Sequence, residues 1–213
     1  MYKYLVIITL LAVVCLLPQT GKNKKGDKDK TAEVSIELNI PPLLEKVNIS
    51  KEMKKLIQKP LYKFTEEELD KYLGFLQETV PGLRDRIQIL AKQNMGQKYD
   101  IYLLGEFPFE IQDKQPLFNL NKSDCVVFSE HIYAMALSHN WKEFFPMLQR
   151  IRYKNGEIGM LTRNHYTEAD WVKNNTWLIT EITDEIAGNA VVKTSSEIDR
   201  AKFFKKHGIG QDI

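Results

Sequence analysis

The stretch that decides the fold is Asn119-Leu-Asn-Lys-Ser-Asp124-Cys125-Val-Val-Phe128, a polar loop followed by an apolar run. This pattern predicts that Cys125 stands at the N-terminus of a buried helix. Unsatisfied N–H groups and the helix dipole stabilise a thiolate at that position. The alternative is that Cys125 is a small buried hydrophobic residue, and the spacing alone leaves both interpretations open.

The sequence has one other cysteine, Cys15, and it lies in a segment typical of an export signal. Lys3 precedes an uncharged run, residues 5–17, which is shorter than the ~20 residues that span a bilayer. We therefore predict a signal peptide over 1–20, a charged linker over 21–31 and a periplasmic or envelope location. Cys15 leaves a lipid anchor open as the only membrane attachment. An exported chain with one remaining thiol either dimerises through it or uses its reactivity.

Composition limits the function classes that the chain can have. Its 213 residues suffice for one sizeable domain, predicted over 32–213, and its net charge of +2 gives no nucleic-acid footprint. The sequence contains no Gly-rich phosphate loop and no dinucleotide fingerprint, so no cofactor is predicted.

Periodicity predicts an α+β fold with a helical part, 50–95, before a nucleophile and cleft part, 96–213. Predicted helices cover 50–58, 65–80, 83–94, 125–138 and 196–207, with a helical turn at 141–150. Predicted strands cover 32–40, 99–104 and 176–183, and Asn155-Gly156 predicts a hairpin.

A thiol nucleophile needs a base within hydrogen-bond reach, and helix geometry excludes two of the four histidines. His131 lies on another face of the Cys125 helix, and His139 lies about 21 Å along its axis. His207 is predicted to complement a helix dipole. His165 remains as the candidate base.

His165 lies in a polar and aromatic stretch, Arg163-Asn164-His165-Tyr166-Thr167-Glu168-Ala169-Asp170-Trp171. Arg163 suits a carboxylate, Asn164 suits amides, and Tyr166 and Trp171 suit the walls of a cleft. Asp170 is a candidate to orient His165. A hydrogen-bonded surface loop is the alternative, and zinc-ligand spacing is absent from the sequence, so no metal is predicted.

Four stretches of the sequence together resemble the NlpC-like cysteine peptidases, papain-fold hydrolases of cell-wall peptides, in their N-acetylmuramoyl-L-alanine amidase-like branch. They are Gly96-Gln97-Lys98-Tyr99, similar to Gly-x-Pro-Tyr; Asp124-Cys125-Val126-Val127-Phe128-Ser129-Glu130, similar to Asp-Cys-x-x-Phe-x-Glu; Arg152-Tyr153-Lys154-Asn155-Gly156; and Arg163-Asn164-His165-Tyr166 with Trp171. Lys98 departs from the proline of the first pattern.

The resemblance implies a papain-like core in which Cys125 attacks the amide between N-acetylmuramic acid and L-alanine of muropeptides. It implies substrate contacts from Tyr99 and Asp124 as well as from the 163–171 stretch. Cleavage within the stem peptide by the same fold, or murein binding without catalysis, are the alternatives.

One departure concerns the base. In this family the catalytic histidine usually follows a Gly-Asp strand, in a His-Val-Gly-like segment that this sequence lacks. The resemblance therefore implies that the domain is truncated before the later strands of its sheet, with the base beyond Ile213, or that His165 has become the base.

Overall fold

The computed structural model describes Leu44 and residues 48–111, 113–197 and 199–207. The predicted signal peptide, the charged linker and the strand at 32–40 lie outside the described residues. The chain divides into two compact units. The helical unit comprises, among the described residues, Leu44, 48–101 and 120–148; the loop-rich unit comprises 102–119 and 149–207.

Three helices begin the helical unit where the sequence predicts them: α1 (Lys51–Gln58), α2 (Glu66–Thr79) and α3 (Leu83–Gln93). Ser50 caps α1 by accepting the Met53 N–H at 3.1 Å. The predicted capping box opens α2, because Thr65 Oγ1 accepts the Glu68 N–H while the Glu68 carboxylate accepts the Thr65 N–H.

Burial on α2 follows the predicted apolar face, which comprises Leu69, Tyr72, Leu73 and Leu76. The end of α3 is tied to α1 through Gln93, whose buried Nε2 donates to the carbonyls of Leu56 and Lys59. Side-chain donors of this kind satisfy carbonyls that a helix end leaves without partners.

Two short strands, β1 (Lys98–Tyr99) and β2 (Lys122–Ser123), pair in parallel. The predicted strand at 99–104 was wrong beyond Tyr99. The Asp100 N–H still donates to the Ser123 carbonyl, but Tyr102 has φ 57°, a left-handed conformation that extended pairing does not permit. The pairing of β2 with β1 was not predicted.

The helix predicted after Asp124 is α4 (Cys125–Leu137), and α5 (Trp141–Arg152) follows it. Most of α4 is buried, including the polar residues Glu130 and His131, as an apolar sequence on nearly all sides predicts. The helical turn predicted at 141–150 is a longer helix, and the boundary between the units falls within it.

Side chains of earlier helices complete the C-terminal end of α4. Gln77 Nε2 on α2 donates to the carbonyls of Ala136 and Ser138. Arg86 Nε on α3 donates to the same Ala136 carbonyl at 2.9 Å. These bonds satisfy carbonyls that the helix itself leaves without donor partners.

In the loop-rich unit, Asn155 (φ 58°) and Gly156 (φ 76°) take the left-handed conformations that the Asn-Gly pair predicts. The predicted hairpin was wrong, because the chain before the turn is α5. A single antiparallel bridge, Tyr153 with Arg163, joins the two sides of the turn.

Beyond this turn the unit contains helices and loops. A π-helical turn (Thr167–Trp171) continues into α6 (Val172–Asn174), and α7 (Thr183–Ala187) and α8 (Arg200–His207) follow. The predicted strand at 176–183 was wrong: the Asn175 carbonyl accepts the N–H groups of Leu178 and Ile179, which curls the chain. Helix α8 begins later than predicted because Asp199 accepts the Lys202 N–H.

The architecture is α+β, mostly helical, and the described residues contain one two-stranded sheet. These elements do not confirm a papain-like core, which stays a prediction. No helix in the described ranges is both long and apolar enough to cross a bilayer.

We predict that Thr65→Ala lowers the free energy of unfolding by about 1 kcal/mol, because it removes one half of the capping box. Urea denaturation followed by circular dichroism measures the loss. Thr194→Ala, at an exposed position outside the helices, is the matched control. Equal stability of the two variants would contradict the assigned start of α2.

Candidate active site

Cys125 is the first residue of α4, as the sequence predicts, and its side chain is half-buried. Asp124 is the N-cap: its backbone is extended (φ −92°, ψ −174°), and Oδ1 accepts the Val127 N–H at 2.8 Å. The thiol therefore lies at the positive end of the helix dipole, which favours an anion.

Tyr99 lies on β1, and the pairing of β1 with β2 brings it beside the segment that precedes Cys125. It pairs in register with Ser123, two residues before Cys125, and 66% of its side chain is exposed. The structure thus brings together three residues predicted for the site, Tyr99, Asp124 and Cys125. Of these, Asp124 already uses one carboxylate oxygen to cap α4.

Two of the other histidines, His131 and His139, have structural partners. His131 is buried, and its Nδ1 donates to the Val127 carbonyl at 2.8 Å, so it serves α4 itself. His139 Nδ1 lies 2.9 Å from the Glu143 carboxylate on the surface. His207 is the last residue of α8, which agrees with its predicted place at a helix end.

The five remaining predicted residues, Arg163, Asn164, His165, Tyr166 and Trp171, belong to the loop-rich unit. His165 Nε2 lies 3.1 Å from the Met160 carbonyl. Because a carbonyl only accepts, Nε2 carries the proton, and Nδ1 is the nitrogen that takes up a proton in the neutral ring. If His165 is a base, it acts through Nδ1.

The π-helical turn organises the residues after His165. The N–H groups of Asp170 and Trp171 both donate to the Tyr166 carbonyl, and Asp170 Oδ2 accepts the Tyr166 N–H at 3.3 Å. Trp171 is buried within its unit. Asp170, a candidate to orient His165, thus bonds the backbone of this turn.

Asn164 is a buried hydrogen-bonding junction. Its Nδ2 donates to the Ile151 carbonyl at 3.0 Å, and its Oδ1 accepts Asn174 Nδ2 at 2.7 Å. The Asn175 side chain donates to the same Ile151 carbonyl. These bonds hold the segment before His165 to the end of α5.

A part-buried ionic cluster surrounds Arg163. Its Nη2 donates to the Leu104 carbonyl at 2.6 Å, and its Nη1 lies 3.3 Å from Glu106 Oε1 and 3.4 Å from Asp113 Oδ2. The Tyr153 hydroxyl donates to the same Glu106 oxygen at 3.0 Å. Arg163 therefore already binds carboxylates of its own chain.

Glu106, like Tyr153, is fully buried, with 0% of its surface exposed. Burial raises the pKa of Glu106 above its ordinary value of 4.5, although Arg163, the Tyr153 hydrogen bond and Arg152 act in the opposite direction. Desolvation of the carboxylate thus outweighs its pairing with the cations.

In the described ranges, no group of three His, Cys, Asp or Glu side chains is arranged to hold a metal ion. The two predicted groups of residues contain a thiol, an imidazole and hydrogen-bonding side chains.

A family model described as AmiA-like, N-acetylmuramoyl-L-alanine amidase-like, matches residues 89–208, more than half of the chain. The chain belongs to the AmiA-like family. No curated protein matches it significantly.

A crystal structure of protein LPG0564 from Legionella pneumophila str. Philadelphia 1, of the DUF1460 family, resembles this AmiA-like chain with a TM-score of 0.52 at 29% identity. The likeness covers 59% of this chain and 42% of the Legionella protein. The chain thus spans about two fifths of that structure's length.

The AmiA-like match begins within α3 and includes both groups of predicted residues. Helices α1 and α2 precede it. Sequence reasoning missed Glu106 and the role of Tyr153 as its donor. The signal was present in Gly105-Glu106-Phe107, an acidic residue between small and aromatic neighbours, which is unusual for a solvated loop.

We predict that Glu106→Gln changes the pH dependence of stability. Because the folded-state pKa is raised, the stabilisation from Glu106 is complete below pH 4.5 and is lost as the pH rises through the folded-state value. Glutamine does not ionise, so the variant escapes this loss. Between pH 4.5 and 7 its free energy of unfolding should rise relative to the original protein.

Urea denaturation at several pH values measures this difference. Glu157→Gln, which removes an exposed glutamate of the same unit, is the control. A Glu106→Gln difference that stays constant with pH, or that moves in the opposite direction, would refute the dominance of desolvation.

Proposed function

We propose that this AmiA-like chain is an exported cell-wall hydrolase that cleaves the amide between N-acetylmuramic acid and L-alanine through Cys125. The observation that carries the proposal is the position of Cys125 as first residue of α4, behind the Asp124 cap, in a member of an amidase-like family. A thiolate at a helix N-terminus is the form in which cysteine acts as a nucleophile.

The reaction proceeds in two steps. The Cys125 thiolate attacks the lactyl carbonyl carbon of muramic acid, the C–N bond breaks, and the alanine amine leaves after taking up a proton. Water then attacks the thioester, releasing the muramic carboxylate and restoring the thiol. Each step forms a negative oxygen, to which the backbone N–H of Cys125 would donate as part of an oxyanion hole.

Tyr99 supports a substrate role for the surface beside α4. Tyr99 is exposed and lies on β1 in register with Ser123, the second residue before Cys125. An aromatic ring of this kind contacts a sugar or peptide face while its hydroxyl donates a hydrogen bond. Asp124, by contrast, acts mainly by fixing the start of the helix.

The 163–171 stretch contributes to the substrate site by its shape. Arg163 does not act there as an unpaired positive charge, because it already pairs with Glu106 and Asp113. Arg163 and Asn164 are engaged with their own unit, which makes the backbone around His165 rigid. Tyr166 and Trp171 remain our candidates for the walls of the cleft, and His165 remains the candidate base through Nδ1.

Export rests on the apolar run at residues 5–17. Sequencing the N-terminus of the protein recovered from the cell envelope tests it. An intact Met1 would contradict export by a cleaved signal.

We predict that Cys125→Ala abolishes release of L-alanyl peptides from muropeptides, because it removes the nucleophile. Chromatography with mass spectrometry measures the products, and an unchanged circular dichroism spectrum shows that the fold is kept. Retained turnover in this variant would refute the mechanism. Products cut within the stem peptide would refute the assigned bond and favour a peptidase of the same fold.

His165→Ala in the same assay tests the base. If His165 takes the thiol proton, the variant should lose turnover by about 10²- to 10⁴-fold while Cys125 stays in place. His139→Ala, whose ring pairs with Glu143 on the surface, is the matched control. Turnover within a few-fold of the original would assign the base to another group.

A further inference from the structure

The side-chain amide of Gln97 is at the centre of a small hydrogen-bond network. The network includes Leu120 and Ser123, which lie shortly before Cys125 in the sequence. Gln97 Oε1 accepts Ser123 Oγ at 2.6 Å and Asn94 Nδ2 at 2.9 Å, and Gln97 Nε2 donates to the Leu120 carbonyl at 2.8 Å. The partners fix the orientation of the amide, since a carbonyl requires a donor and the other two groups donate.

The network joins two pieces of chain that are far apart in sequence. Asn94 is the C-cap of α3, and Gly96 (φ 85°) turns the chain so that Gln97 immediately precedes β1. On the other side, Leu120 and Ser123 belong to the segment that leads into α4. Asn94 and Ser123 are both buried and Gln97 is half-buried, so their hydrogen bonds are partly shielded from water.

The sheet alone restrains this segment weakly. β1 and β2 pair over two residues each, Lys98 with Lys122 and Tyr99 with Ser123. The Lys122–Asp100 ion pair beside them is nearly half exposed and contributes little. The Gln97 bonds extend the restraint to Leu120 and to the side chain of Ser123, the second residue before Cys125.

We infer that Gln97 is a positioning residue for the nucleophile: it holds the 120–123 segment so that Asp124 caps α4 and the Cys125 thiol keeps its attacking geometry. The inference rests on the proposed function for its kinetic consequence. Gln97 touches neither the thiol nor a reacting atom, so its effect passes through Ser123 and Asp124.

The test compares Gln97→Leu, Ser123→Ala and the double variant with the control Gln88→Leu, an exposed glutamine on α3. Two readouts are taken: kcat and KM on muropeptides, and the rate at which iodoacetamide alkylates Cys125 in the folded protein. Displacing a reacting group by about 1 Å costs on the order of 10²-fold in rate. We expect Gln97→Leu to lower kcat by about 10- to 100-fold with KM within about 2-fold.

The double variant separates positioning from general destabilisation. If Gln97 acts through Ser123, Ser123→Ala lowers kcat in the same direction, and the double variant loses no more than Gln97→Leu alone. Alkylation of Cys125 should slow in all three variants and not in Gln88→Leu. Should Gln97→Leu fail to fold, Ser123→Ala alone removes the shortest bond and decides the question.

Two results would overturn the inference. One is that Gln97→Leu matches Gln88→Leu in both kcat and alkylation rate. The other is that it lowers only the melting temperature, or raises only KM. These results differ from failure of the proposed function, which appears as turnover by Cys125→Ala, and the alkylation readout does not depend on turnover.

Discussion

The structure of the helical unit depends on where α4 begins. The Asp124 carboxylate accepts the Val127 N–H, and that bond makes Cys125 the first helical residue rather than the last loop residue. Everything around this point restrains it: β2 and Gln97 hold the chain before the cap, while Gln77 and Arg86 complete the far end of the helix. A buried helix fixed at both ends has little freedom to slide, so its first residue stays in one position.

The loop-rich unit depends on a different constraint, the buried Glu106 carboxylate. It accepts from Tyr153 at the end of α5 and from Arg163 beside the candidate base, so one side chain joins three separate parts of the unit. The cost of burying this charge outweighs its pairing, as its raised pKa shows. Removing one partner of such a cluster would leave the other charge buried and unpaired, so the cluster specifies a single arrangement of the chain before His165.

The sequence predicted helices better than strands, for physical reasons. Helix caps and left-handed turns depend on residues that are close in sequence, as at Thr65 and at Asn155-Gly156. Asp199 also caps a helix in this local way, although it was recognised only in the structure. Strands depend on distant partners: the apolar residues at 176–183 suggested a strand, but the Asn175 carbonyl turns them. Cys125 was placed correctly from its local pattern. Glu106 left a local signal in the sequence, but its partners did not, and neither did the distant partners of Gln97. Apart from Asn94, the side chains and carbonyls that bind Gln97 and Glu106 lie about 23 to 57 residues away in the sequence.

The start of α4 is proposed to make Cys125 a reactive thiolate. The most direct measurement is the rate of alkylation of Cys125 by iodoacetamide at pH 6, in the folded protein and in urea, with peptide mass spectrometry to distinguish it from Cys15. An ordinary thiol is almost entirely protonated at that pH, and only the thiolate reacts. If the start of α4 stabilises the thiolate, Cys125 reacts faster in the folded protein than in the unfolded chain. An equal or slower rate in the folded protein would contradict it.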